Sequence, residues 1–500
     1  MLGLFRKRRR AMREPSDLLA LPLLHWSRDD AWTLRDAVEG TLILGATGSG
    51  KTSGSGRLIA RTMLSCGFGG LVLTAKSDER ALWEGYCRDA NRLDDLVVVG
   101  PDPAVSHRFN FLAHELTRQG AGAGLTENIV MLFENVMEIK DRNRRTGGAS
   151  DDGSFWRDRG LMGLRCAVDI LALATGSVSV PELVKVFLTA PTSPAQVCDP
   201  KFQESSVCFR HIKAADAKSK TPRQQHDFGV ACDHFLLEWP ALAERTRSTI
   251  QATVLGWLDP CNRGLLREMF CTDTTLTPEA VQDGKIILID LPVKEFGEVG
   301  QFAQVLWKYC TQKQLERRNV QENPRPAFIW ADEAQHFLTS YDFQFQATCR
   351  SAWVATVLLS QNYSNFVAAL GGNEKGRVET DSLLANLNTK VFHGNSDPVT
   401  NEWASRLIGR TLQCRASGNH SHAADDQVSA LLGLDWVREN GTTSGGFSEV
   451  MEAEVEPREF TRLRTGGPPK WIVDGIVFQN GKVFNASGRG WLPVQFNQKA

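Results

Sequence analysis

The sequence predicts an α/β protein with a mostly parallel central sheet and an inserted all-α unit, on three observations. Seven short apolar runs bounded by turn residues begin at residues 41, 69, 95, 285, 327, 353 and 389. They are too short and too uniformly apolar for surface helices, and they read as strands buried on both faces. Helical spacing fills the gaps at 57–66, 78–93 and 299–318, and such alternation lays strands side by side in parallel. From about His114 to Leu258, by contrast, the periodicity is mainly helical.

Taken in order, residues 1–39 form a basic N-terminal segment opening "MLGLFRKRRRAMR". Arg6 to Arg10 suit acidic lipid headgroups or a phosphate backbone, although a solvated, mobile tail is the commoner state of a terminus and the favoured reading. Residues 40–113 and 259–410 hold the seven strands and make one sheet domain, and 114–258 is the all-α insertion. Polar, proline-containing stretches around Pro191 to Arg223 read as connectors, and Arg142 to Ser154 as a loop. Residues 411–500 carry short strands, turns and a flexible stretch at 438–449, and either complete the sheet domain or pack on it.

Composition narrows the function classes. With 42% apolar and 23% charged residues in 500, the chain is a packed globular protein rather than a disordered or fibrous one. Lys plus Arg (57) nearly cancel Asp plus Glu (58), so any nucleic-acid contact must use a local basic surface. Eleven cysteines without a C-x-x-C pair argue against a disulfide framework or a zinc site. The apolar run Leu18 to Trp26 is less than half the roughly 20 residues of a membrane span. The expectation is therefore a cytoplasmic protein without anchor or signal peptide, reaching the inner face of a membrane, if at all, through a partner.

The chemistry starts at Gly45-Ala46-Thr47-Gly48-Ser49-Gly50-Lys51-Thr52, followed by Ser53. This G-x-x-x-x-G-K-[ST] loop follows an expected strand and opens an expected helix, as phosphate binding requires. Glycines let backbone N–H groups converge on phosphate oxygens, the helix N-terminus adds positive potential, Lys51 reaches the β- and γ-phosphates, and the Thr52 hydroxyl holds Mg²⁺. Asp332 and Glu333 end the run "AFIWADE", at the strand edge beside that loop. An acidic pair at a strand end is by itself usually only solvated. After a phosphate loop, Asp332 reads as a Mg²⁺ ligand through its water shell and Glu333 as the residue orienting the attacking water, which favours ATP hydrolysis over phosphoryl transfer to a metabolite. Gln361, ending the next strand, reads as a γ-phosphate sensor. Arg350, 11 residues earlier, reads either as a finger reaching a neighbouring subunit's nucleotide or as an ordinary helix-end salt bridge.

With these residues in hand, the chain resembles the type IV coupling proteins of conjugation and type IV secretion, the TraG/TraD-type members of the FtsK/HerA group. "HRFNFLAHE" (107–115) resembles that family's Phe-Asn-Pro-Leu turn, with Phe111 where proline is usual. "SFWRDRGLMGL" (154–164), "ERTRSTIQATVLGWL" (244–258), "KVFHGNSDPVTNEWASRLIGR" (390–410) and "VEPREFTRLRTGGPPKWIVDG" (455–475) resemble further family segments, in family order. The resemblance implies a RecA-like P-loop NTPase core, an all-α domain facing substrate, and a homo-hexameric ring. It also implies ATP hydrolysis with Mg²⁺ that moves single- or double-stranded DNA or a relaxase–DNA substrate, with Arg350 as the trans arginine. Membrane components of a type IV secretion system follow as partners. Members at a secretion channel usually begin with a transmembrane anchor, which this sequence is expected to lack. Other readings are a nucleotide-switched platform that recruits a protein substrate, a soluble HerA-like ATPase of a mobile element, and a small-molecule kinase. The last has no need of a distant acidic pair or a long helical insertion.

Overall fold

The computed structural model describes residues 15–102, 107–120, 122–144, 152–421 and 442–499. The basic cluster Arg6 to Arg10 lies outside them. A hairpin of β1 (Pro22–His25) and β2 (Ala31–Thr33) precedes the main sheet. All seven expected strands form: β3 (Thr41–Leu44), β4 (Gly69–Leu73), β5 (Leu96–Val99), β6 (Ile286–Ile289), β7 (Ala327–Ala331), β8 (Val354–Ser360) and β9 (Thr389–Phe392). They pair in parallel in the order β9-β3-β8-β7-β4-β6-β5. The fold is thus α/β with a mostly parallel central sheet.

The uniform apolarity of these strands has a simple cause, because both faces are covered. Ile43, Val72, Ile286, Leu288, Phe328 and Trp330 turn to one face, against Ile59, Met63 and Trp83 of the helices Arg57–Ser65 and Glu79–Asp89. Leu42, Leu44, Leu71, Leu73, Ile287, Ile289 and Ile329 turn to the other, against the helix Val293–Glu316 and a core shared with the insertion. The period-two alternation of a strand sorts neighbouring residues into separate cores.

Between β5 and β6 the described residues are helical, apart from turns. Phe111 occupies the first position of the helix Phe111–Thr117, capped by the Asn110 side chain on Ala113 N–H. That position tolerates proline because its N–H is unpaired anyway. Here Phe111 instead buries an aromatic ring against Phe133 and Phe270. The expected connectors at 191–223 contain the helices Pro194–Cys198, Pro200–Ser205 and Val207–Asp216, and the helix Pro222–Asp233 starts at their end. Three of the four begin at proline after Ser193, Asp199 or Thr221. The prolines fix helix starts rather than breaks, since their φ is already helical. The helix Glu244–Asn262 runs across residue 259.

Among the described residues no single helix is long and apolar enough to cross a membrane. One bent pair, Phe155–Thr175 and Val180–Thr189, meets the length and composition criterion, but Leu164, Ile170, Leu183 and Phe187 on it are buried in the helical core.

After β9, the strands β10 (Arg410–Ser421) and β11 (Thr442–Ala453) pair as a long antiparallel arm, with part of the expected flexible stretch inside β11. Then β12 (Ile472–Gln479) adds antiparallel to β9, and β13 (Trp491–Asn497) adds to β12, completing a nine-stranded sheet. This late hairpin places the last described residues beside the loop that follows β3.

Candidate nucleotide site

The loop after β3 is clamped at its root by its two neighbour strands. Gly45 N–H donates to Ser360 O (3.3 Å) and Ala46 N–H to Gly394 O (2.9 Å). Gly48 and Gly50 take φ of +74° and +83°, where any side chain is strained. A Cβ at Gly50 would also lie 2.4 Å from Val473 Cγ2, so the β12 hairpin presses on the loop itself. Ser49 is fully buried, and its hydroxyl has no partner among the described residues. Thr52–Gly56 winds as one wide turn, with Gly56 N–H donating to Lys51 O at 2.8 Å, before the helix Arg57–Ser65. Gly50→Ala should therefore weaken nucleotide binding about tenfold or more, because left-handed backbone costs a non-glycine residue about 1–3 kcal/mol. Titration with a fluorescent nucleotide, beside a melting curve, separates this from unfolding.

The acidic pair converges on the loop as the sequence reading requires. Thr52 Oγ1 donates to Asp332 Oδ2 at 2.9 Å, and Asp332 Oδ1 accepts the Glu333 N–H at 2.9 Å. A hydroxyl and a carboxylate in contact are the hard oxygen donors that Mg²⁺ prefers, and these two side chains would hold it. Glu333 is buried, in left-handed backbone at φ +49°, an unusual conformation for glutamate. Its Oε1 lies 3.8 Å from Lys51 Nζ and 3.4 Å from Lys76 Nζ, and accepts from Gln361 Nε2 at 3.3 Å. Its Oε2 accepts from Gln335 Nε2 at 3.0 Å. Burial alone would raise this carboxyl, but those hydrogen bonds and the two ammonium groups outweigh it and hold it below its ordinary range. Lys51, Thr52, Asp332, Glu333 and Gln361 thus meet at one point.

Arg350 does not join them. It lies before β8, at the opposite end of that strand from Gln361, and seven strand residues at about 3.3 Å each put it roughly 23 Å away. Its side chain is just over half exposed and pairs with Glu39 at 3.3 Å. It is out of reach of this chain's own loop.

Several residues beside the loop escaped the sequence reading. Lys76 follows β4 as Glu333 follows β7, so the strand-end rule could have found it. Glu79 is buried, its Oε2 accepting Ala75 N–H at 3.2 Å and its Oε1 without a partner among the described residues. Burial, together with the nearby Asp332 charge, pushes it up to about 9, so it is neutral at pH 7. His393, buried at the end of β9, lies 2.7 Å from Ser55 Oγ through Nε2 and 2.9 Å from Asp474 O through Nδ1. Burial pulls it down to about 4. A neutral ring therefore donates through Nδ1 to the β12 carbonyl and accepts the Ser55 hydroxyl through Nε2, bracing the phosphate-loop helix against β12. Gln498 Nε2 donates to Ser53 Oγ at 2.7 Å. No local pattern ties Gln498 to Ser53, since only sheet topology brings them together.

This geometry can be set beside known proteins. Residues 326–454 match a family described as the TraM recognition site of TraD and TraG. No curated protein sequence matches the chain. The bacterial conjugative coupling protein TrwBdeltaN70, in an unbound monoclinic form, superposes with a TM-score of 0.58 at 15% identity, over 98% of this chain and 92% of that one. The fold is that of a conjugative coupling protein. TrwB in complex with ADP and Mg²⁺ matches at 15% identity and TrwB with a non-hydrolysable ATP analogue at 16%, each with a TM-score of 0.55 over 98% of this chain and 91% of that one. The resemblance to the TraG/TraD-type coupling proteins therefore extends from motifs to architecture: a RecA-like P-loop NTPase core with an inserted helical unit.

Proposed function

We propose that this protein is an ATP-hydrolysing motor of the coupling-protein kind, assembling as a homo-hexameric ring that moves DNA or a relaxase–DNA substrate. The observation that carries this reading is the meeting of Lys51, Thr52, Asp332, Glu333 and Gln361 on a coupling-protein fold. Lys51 and the loop N–H groups bind the triphosphate, and Thr52 and Asp332 hold Mg²⁺, which supplies charge neutralisation when bound. Glu333 holds the attacking water, and Gln361, bonded to it, links the γ-phosphate position to the segment after β8. The work is done in the cytoplasm, at the inner face of the membrane where a partner of the secretion machinery holds the ring.

The test is steady-state ATPase activity of the purified protein with and without single- and double-stranded DNA, across salt. Stimulation by DNA is expected to weaken steeply, with apparent affinity falling about 10³-fold between 50 and 200 mM salt for some six phosphate contacts. A ring that neither binds DNA at low salt nor responds to any DNA form rules out the motor reading.

The family match at 326–454 favours a second element, because its description is of a protein-recognition site. That segment runs from β7 through the β10–β11 arm. A recruitment platform would capture a relaxase or similar protein from host extract through Glu333→Gln as well as through the parent, with no motor activity in either.

A further inference from the structure

The catalytic groups fix which way a nucleotide must lie. Glu333 and Asp332 follow β7 and Gln361 follows β8, both on one side of β3, so the γ-phosphate end points toward β8 and β7. The α-phosphate and nucleoside must then leave on the other side, over β9, β12 and β13. What stands there is the hairpin that the sequence reading left without a role.

Three side chains, those of Val473, Gln498 and Arg57, tie that hairpin to the loop. Val473 packs on Gly50 and Gly54. Gln498 Nε2 donates to Ser53 Oγ at 2.7 Å, and Gln498 Oε1 accepts Gly467 N–H at 2.7 Å. Arg57 donates to Gln498 O. Gly466 and Gly467 both take positive φ, +89° and +83°, so the segment curls close without side chains in the way. Trp471 stands at the end of this curl in left-handed backbone, φ +56°, which for a large aromatic residue is a real outlier. Both of its backbone groups are tied, N–H to Gly467 O and O from Gln498 N–H, each at 2.8 Å. Its indole remains partly open to solvent, and Lys499 Nζ lies 4.5 Å from a ring centroid. Backbone strain held in place by such bonds, with the ring only part-covered, is the kind stored at binding sites.

We propose that this segment is the nucleoside wall of the ATP site, with Trp471 as the stacking platform for the base and Gln498 as the positioning residue that locks the wall to Ser53. The inference rests on the nucleotide reading above and extends it to the ligand's other end. Base stacking on an aromatic ring is tolerant of base identity, so the wall selects nucleoside triphosphates over bare polyphosphate rather than adenine over guanine.

Calorimetric titration of the full chain with a non-hydrolysable ATP analogue and with inorganic tripolyphosphate, both with Mg²⁺, tests this. Trp471→Ala should lower affinity for the nucleotide about tenfold and leave tripolyphosphate unchanged. Trp471→Phe, which keeps a ring, should restore most of the loss. Lys51→Ala should lose both ligands, and if it kept both, the phosphate site itself would be wrong. Wild-type nucleotide affinity in Trp471→Ala, or an equal loss of both ligands, overturns the proposal.

Discussion

Glu333→Gln should bind ATP and Mg²⁺ at least as tightly as the parent while turnover falls about 10²- to 10⁴-fold, the range for loss of a positioned general base. On the proposed function, the loss of turnover follows from removing the carboxylate that would hold the attacking water. Retention of binding follows from the ion pairs: Glu333 Oε1 is set between Lys51 at 3.8 Å and Lys76 at 3.4 Å. A triphosphate needs Lys51 and must draw it from that carboxylate. Glutamine presents no charge to hold Lys51 back, so the lysine is free for phosphate, while Thr52 and Asp332 keep their contact at 2.9 Å. Nucleotide titration and phosphate-release assays on one preparation check both halves. The pH profile adds a signature. In the parent, kcat/KM reports the free enzyme, in which Glu333 ionises below the ordinary carboxylate range. Its activity should accordingly persist as pH falls through that range and be lost only below it. A variant that hydrolyses at the parental rate would move the base elsewhere, and Glu79, neutral at pH 7, is not ready to serve as one.

What was legible in the sequence follows what local pattern can encode. The seven parallel strands were readable because burial on both faces makes each one a continuous apolar run, as in Ile286–Ile289 or Val354–Ser360. The phosphate loop and acidic pair were readable because both sit at fixed offsets from strand ends. The short helices between 194 and 216 were not, since Ser-Pro and Asp-Pro mark a helix start as readily as a turn, and only the cap bonds decide. Nor was the bracing of the loop by β12. Val473 on Gly50, His393 between Ser55 and Asp474, and Gln498 on Ser53 join residues that only strand order places together. Glu333's left-handed backbone is likewise a property of the tertiary fold, because glutamate has no local preference for it.

Arg350 divides the two readings of its role most sharply through subunit mixing. If it is a trans finger, Arg350→Ala should lower hydrolysis about 10³- to 10⁵-fold and leave nucleotide binding intact, since it stands far from its own loop. The Glu39 pair at 3.3 Å offers the competing account, in which Arg350 merely ties the end of β8 to the segment before β3. A pair with one partner over half exposed contributes little stability, on the order of 0–1 kcal/mol, so the structural account predicts near-normal turnover for both Arg350→Ala and Glu39→Ala. The finger account predicts loss only for the arginine variant. Mixing then supplies evidence that neither single variant gives. Arg350→Ala subunits keep Glu333, and Glu333→Gln subunits keep Arg350, so on the finger account each pure ring would be inactive. A randomly mixed head-to-tail ring would pair the two intact residues at roughly a quarter of its interfaces. ATPase activity in the mixture above the average of its parts therefore requires a site built from two chains, whereas a mixture no more active than that average, with Arg350→Ala itself near normal, would leave Arg350 with Glu39 alone.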